Sequence, residues 1–164
     1  MRQAFAWLKK LVLGLAAVLL LYQLWLFGWV LWWNWVNPET TRFMSIRLDE
    51  LRVKDPQAQL KKEWSAYGRI SAHLKQAIVA AEDAKFVDHE GFDWEGIQHA
   101  IEKNRRKGRI VAGGSTISQQ LAKNLFLTPA KTSWRKAEEA VITLMLEAVW
   151  SKQRILEVYL NVIE

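Results

Sequence analysis

Thr116, Gln120 and Lys123 recur at i, i+4 and i+7 behind the pair Gly113-Gly114, so a helix starting there would carry one polar side. Ile117, Leu121 and Leu125 fall on another side, and Ser115 or Thr116 can cap the start. A glycine pair leading into a helix presents free N–H groups and the positive dipole end together, which suits an anionic group. Lys123 adds a full positive charge to that side. Glu82 stands near the end of another periodic stretch, where the macrodipole disfavours negative charge and a carboxylate in a cleft suits acid or base work. Asp83, Phe86, His89 and Gly91 follow it closely. Of these, Asp83 and His89 read as loop-stabilising hydrogen-bond partners and Phe86 as a core anchor. Arg135 and Glu139 stand i, i+4 near a further helix start, where Arg135 and Lys136 gain little from the dipole. Positive charge held against local energetics points to an anionic ligand. The plainer alternative is a surface ion pair worth ~0.3–0.5 kcal/mol.

Helices must position these groups. Ser71 can cap a helix with Leu74, Ala77, Ile78 and Ala81 facing inward, and Asp93 a second with Trp94, Ile97 and Ile101 inward. The second ends in the basic cluster Arg105-Arg106-Lys107 before Gly108, a cluster that with Arg109 complements the dipole and could rest on anionic headgroups. The helix from Thr116 to Phe126 is the third. Ser133 opens a fourth, whose apolar stretch Ala140–Trp150 is expected to run through the domain centre, and Ser151 a fifth. No stretch alternates as a strand does, so the class is all-α. The final Tyr159–Glu164 has neither a glycine cap nor a polar tail, and the chain is expected to stop inside an element.

The run from Leu11 to Val36 holds no charge and reaches about 39 Å as a helix, more than the ~30 Å hydrocarbon core. Arg2, Lys9 and Lys10 precede it, which predicts a cytoplasmic N-terminus and places everything after Asn37 on the far side. Trp25, Trp29, Trp32, Trp33 and Trp35 crowd its distal half, at the expected outer boundary. A cleaved signal peptide would be shorter, with small residues at the cut. The expected organisation is a cytoplasmic tail over 1–10, an anchor over 11–36, a juxtamembrane connector over 37–70 and a helical domain over 71–164.

Composition excludes several functions. The net charge of +6 on 164 residues includes no basic region that would commit the chain to nucleic acid. Cysteine is absent, which removes disulfides and thiolate metal sites. His73, His89 and His99 lack the spacing of a helical zinc pair, so no metal ligand set can be assigned.

Taken in order, the motifs resemble those of the peptidoglycan glycosyltransferases, the lipid II polymerases. Glu82-Asp83-x-x-Phe86-x-x-His89-x-Gly91 is similar to their first signature, and the run Gly113–Asn124 to their second. Arg135-Lys136-x-x-Glu139 is similar to the third, and Lys152-x-x-Ile155-Leu156-Glu157-x-Tyr159-Leu160-Asn161 to the fourth. With its short N-terminal anchor and no transpeptidase half, the chain is most similar to monofunctional members. The resemblance implies a partly lysozyme-like helical fold and an inverting transfer. A growing glycan on polyprenyl pyrophosphate is the donor, and the sugar 4-hydroxyl of the disaccharide-peptide lipid is the acceptor. It implies that Glu82 is the base, that Lys123 and Arg135 hold the pyrophosphate, and that Glu139 assists on the donor side or at its metal. Asp83, Phe86, His89, Ser115, Thr116, Gln120 and Lys136 would line the cleft. Mg²⁺ or another divalent cation is the implied cofactor, with no organic one. Implied partners are lipid II, lipid-linked glycan, the membrane, and other cell-wall synthesis or division proteins. The implied location is the bacterial inner membrane, with the catalytic domain periplasmic. Glu157 and Asn161 read as structural. A complete domain of this kind continues past the Asn-x-x-Glu region, so the 164-residue form is expected to fold poorly or lack activity. The competing readings are a membrane-anchored lysozyme-like hydrolase and an inactive remnant that only binds.

Overall fold

Helices form every major element of the chain, as the periodicity predicts. A computed structural model describes residues 2–163; Met1, the side chains of Arg2 in the basic flank and of Ala4, and Glu164, at the expected domain end, lie outside the described residues. The order is α1 (Arg2–Trp35), α2 (Arg42–Lys54), a 3₁₀ turn (Tyr67–Arg69), α3 (Ala72–Glu82), α4 (Trp94–Lys107), α5 (Ile117–Phe126), α6 (Ser133–Val149) and α7 (Lys152–Val162). No strand occurs among the described residues. Residues up to Val36 form one compact unit and those from Asn37 onward another.

The first unit is α1. Its stretch Phe5–Trp35 contains an 18-residue window with a mean hydropathy of 2.1 and reaches roughly 46 Å, long and apolar enough to cross a membrane. The distal tryptophans meet along it, with Trp25 and Trp29 rings edge-on at 6.4 Å and Trp29 and Trp33 rings tilted at 5.1 Å.

In the second unit, α5 is the element the others surround. It packs against α2, α6 and α7, and buries Ile117, Leu121, Ala122 and Leu125. The fourth periodic stretch was expected at the centre, but α6 buries one face only. Ile142, Thr143 and Leu146 point inward while Val141 and Leu144 are exposed. An all-apolar run does not choose a face by itself; α5 can sit deeper because its polar residues find partners. Ser118, fully buried, donates to Glu147, whose carboxylate also accepts from Lys152. The stretch 37–70, expected as a connector, lies in this same unit and supplies α2, which Thr41 caps through the Met44 N–H. Glu157 and Asn161 are structural, as expected: one carboxylate oxygen of Glu157 takes the Tyr67 N–H at 3.0 Å, and the Asn161 amide pairs with both backbone groups of Ser65.

Two inward faces are not formed. On α3, Leu74, Ala77 and Ala81 are exposed, and the helix buries no residue. On α4, Trp94 and Ile101 are exposed, Ile97 is half-buried, and Ala100 is the residue that packs. Periodicity reports an apolar stripe but not what covers it. Ser71 occupies the cap position of α3 without a side-chain cap bond, whereas Asp93 caps α4 through the Gly96 N–H and Ser151 caps α7 through Arg154. Thr132, rather than Ser133, caps α6.

Gly91 holds the turn after α3 with φ +91°, and a Cβ there would lie 2.7 Å from the Thr143 methyl. Gly91→Ala is therefore expected to cost about 1–3 kcal/mol. A thermal melt should show it as a fall of several degrees, and an unchanged melt would mean that the turn relaxes freely.

Candidate active site

The site is built where the end of α3 meets the start of α5. Thr116 caps α5 by accepting the Gln119 N–H, and Gln119 returns the bond by accepting the Thr116 N–H at 3.1 Å. This capping box is legible as Thr-x-x-Gln. The Thr116 hydroxyl also donates to the Gly91 carbonyl at 2.7 Å, which ties the helix start to the turn after α3. Asp83 completes the junction. One of its oxygens accepts the Ile117 N–H at 3.0 Å and the other pairs with His89 Nε2 at 2.9 Å. Because His89 Nδ1 accepts the Gly91 N–H, Nε2 carries the proton toward Asp83.

That arrangement corrects one expectation. The start of α5 does not offer all its N–H groups to an outside anion, since those of Thr116, Ile117 and Gln119 are already taken. The anion at this dipole end is Asp83, supplied by the chain itself. Asp83 is 6 % exposed and Phe86 1 %, with His89 half-buried, so these residues build the junction as the spacing suggested.

Glu82, the last residue of α3, is exposed. It lines a hollow of about 200 Å³ together with Asp83, Asp93, Gly113, Gly114 and Ser115. Gly114 lets the backbone pass close there, since a Cβ would come within 3.1 Å of the Ile97 Cα and that backbone would have to give by a few tenths of an ångström. Across α5 the Gln120 amide donates to Glu82 at 2.9 Å. Lys123 lies a turn further along α5, half-buried, its ammonium 5.3 Å from the centre of the Phe43 ring on α2. Among the described residues its side chain has no hydrogen bond or ion pair.

Arg135, Lys136 and Glu139 form a second cluster at the start of α6. The Glu139 side chain is 3 % exposed and pairs with both Arg135 and Lys136. It is a three-charge cluster on a buried carboxylate, with Lys136 still reaching solvent, not the plain surface pair. Lys136 also reaches the Ser115 hydroxyl at 3.5 Å, so the cluster abuts the rim of the Glu82 hollow. Arg135 Nε is buried without a partner among the described residues. Glu82, Ser115, Thr116 and Gln120 thus come together; Lys123 sits one turn away, and Arg135 and Glu139 connect through Lys136.

Sequence reasoning passed over Tyr159. It is 2 % exposed on α7, and its hydroxyl stands 3.1 Å from Gln120 Oε1. Burial, then the carboxylates of Glu82 and Asp83, push its phenol up to about 12. The signal for it was the alternation of Glu157, Tyr159 and Asn161: the first and last share a face at i, i+4, which leaves Tyr159 pointing elsewhere.

A helical unit with an acidic residue at the mouth of a hollow and a cation cluster at its rim describes a glycan- or phosphate-handling enzyme. Comparison with known proteins narrows that class. The transglycosylase family matches residues 49–164. A biosynthetic peptidoglycan transglycosylase of Dechloromonas aromatica is 74% identical over 158 residues, covering 96% of this chain and 68% of the relative. Those of Aromatoleum aromaticum and Laribacter hongkongensis are 62% and 64% identical, with 71% and 69% of each relative covered. The chain belongs to the transglycosylase family. It is a peptidoglycan glycosyltransferase of cell-wall synthesis, an activity that goes with glycan substrate and membrane association.

Proposed function

We propose that the chain polymerises lipid II with Glu82 as the base and the cations of α5 and α6 as the diphosphate anchor. The observation that carries this is the unequal use of two neighbouring carboxylates. Both oxygens of Asp83 are engaged in structural bonds, while Glu82 keeps an exposed carboxylate with a single donor among the described residues, at the edge of a hollow. Glu82 would accept the proton of the acceptor 4-hydroxyl as that oxygen attacks the anomeric carbon of the donor sugar. The bond from that carbon to the diphosphate oxygen breaks, and the lipid diphosphate leaves with the negative charge. Lys123, whose ammonium has no hydrogen bond or ion pair among the described residues, and Arg135, whose buried Nε has no partner among them, would take up that charge. Glu139 fits a positioning role, since it fixes Arg135 and Lys136 toward the rim. Incubation with lipid II tests the reading. Polymer and released lipid diphosphate are expected from the parent protein and not from Glu82→Gln.

A divalent cation does not fit as a protein-held ion. No group of three histidines or carboxylates suited to a metal occurs among the described residues, and Glu139 is already flanked by two cations that repel a dication. The donor set supports a metal that enters with the diphosphate, as Mg²⁺ commonly does. Chelation is therefore expected to change the KM for the lipid substrate while leaving the melting temperature of the protein unaltered. A lower melting temperature on chelation would instead reveal a protein-held ion.

The charge asymmetry around α1 supports an N-terminus in the cytoplasm and a periplasmic catalytic unit at the inner membrane. Protease accessibility in spheroplasts tests this: digestion of the unit after Asn37 from outside is expected.

A further inference from the structure

We infer that Tyr159 is a positioning residue for the transfer reaction, orienting the Gln120 amide so that its N–H end holds the Glu82 carboxylate. The inference rests on the reading of Glu82 as the base. A primary amide has a donor end and an acceptor end of nearly the same shape, and its neighbours decide which way it points. Gln120 lies between two such neighbours. Tyr159 on α7 faces Oε1 at 3.1 Å, and Glu82 on α3 faces Nε2 at 2.9 Å.

The carboxylate can only accept, but it is exposed, and water can compete for the amide. The phenol is the stronger constraint because it is buried. Its hydroxyl could donate or accept in principle. Burial and the nearby carboxylates of Glu82 and Asp83 hold it protonated far above neutral pH, so its proton remains available to Gln120 Oε1. With Oε1 taken, Nε2 is left to face Glu82. The opposite orientation would set the amide oxygen against the carboxylate and waste the phenol proton.

This relay matters because little else fixes Glu82. It ends a helix that buries no residue, and Gln120 is its hydrogen-bond partner among the described residues. The charged groups around the relay are Glu82 and Asp83 from the end of α3, with His89 beyond Asp83. Lys123 follows Gln120 on α5. A base that must meet an incoming hydroxyl gains from a fixed direction, and a rigid amide backed by a buried phenol supplies one.

Tyr159→Phe removes the hydroxyl and keeps the ring. It is expected to lower kcat for lipid II polymerisation about tenfold with KM little changed, the size expected for one lost hydrogen bond. The acidic limb of the pH–rate profile should move to higher pH, because a weakened donor favours the ionised carboxylate less. Gln120→Met, which keeps length but cannot donate, should move the limb in the same direction. The double variant should be no worse than the poorer single one, as members of one relay are not additive. A Tyr159→Phe protein that melts lower but keeps the parent profile and kcat would overturn the inference, leaving Tyr159 as packing alone. Additive effects of the two changes would overturn it as well. Full activity in Glu82→Gln would instead remove the underlying reading of Glu82, so the two failures are told apart.

Discussion

Glu82→Gln is expected to slow lipid II polymerisation by about 10²–10⁴, the range that a positioned general base contributes, with substrate binding retained. The change is nearly isosteric, and Glu82 is exposed on a helix with no buried residue, so the fold has no stake in its charge. Glutamine can still present its carbonyl oxygen to the Gln120 amide, which keeps the side chain near its parent position. What it loses is the capacity to accept a proton at the moment the acceptor hydroxyl attacks. The expected signature is therefore a collapse of kcat beside an unchanged melting temperature and an unchanged KM. Turnover within a few-fold of the parent would show that the proton goes elsewhere.

Asp83→Ala, one residue on, is expected to give the opposite signature: a fold defect first, and an activity defect because of it. Both oxygens of this buried carboxylate are engaged, by His89 Nε2–H and by the Ile117 N–H at the start of α5. Alanine leaves two buried donors unmet and removes the negative charge facing the dipole of α5. A loss of roughly 2–4 kcal/mol is expected, which is about 5–15 °C for a unit of this size. Asn should recover only part of it, since its amide offers one acceptor where two are needed. A thermal melt followed by circular dichroism checks this. A shift under about 2 °C would mean that the capping of α5 by Asp83 contributes little. Adjacent carboxylates, one exposed and one engaged at both oxygens, would thus separate catalysis from architecture in a single pair of variants.

The cations of α6 show why a sequence can name such groups without placing them. Arg135 and Glu139 at i, i+4 are compatible with a weak surface pair or a buried cluster, and helix periodicity treats the two alike. Burial decides between them. The Glu139 side chain is 3 % exposed, a burial that comes with the packing of α6 on α5, while its second cation, Lys136, stands i, i+3 on the same helix. Lys123 illustrates the same limit. Its position on the polar side of α5 follows from spacing, but its place over Phe43 depends on α2, in a stretch read as a connector.

Local chemistry was fixed by the order of residues alone. The helices, the caps at Thr116, Asp93 and Ser151, the long apolar span of α1 and the pairing of Asp83 with His89 all depend on neighbours within a few positions, where backbone geometry leaves few choices. Packing decided the rest. It made α5 rather than α6 the central helix, left the apolar stripe of α3 uncovered, supplied an internal anion for the start of α5, and put Tyr159 behind Gln120. The reason is physical: a helical stripe says which residues avoid water, while the element that shields them, and the polar atoms that meet across it, depend on contacts between segments far apart in the chain.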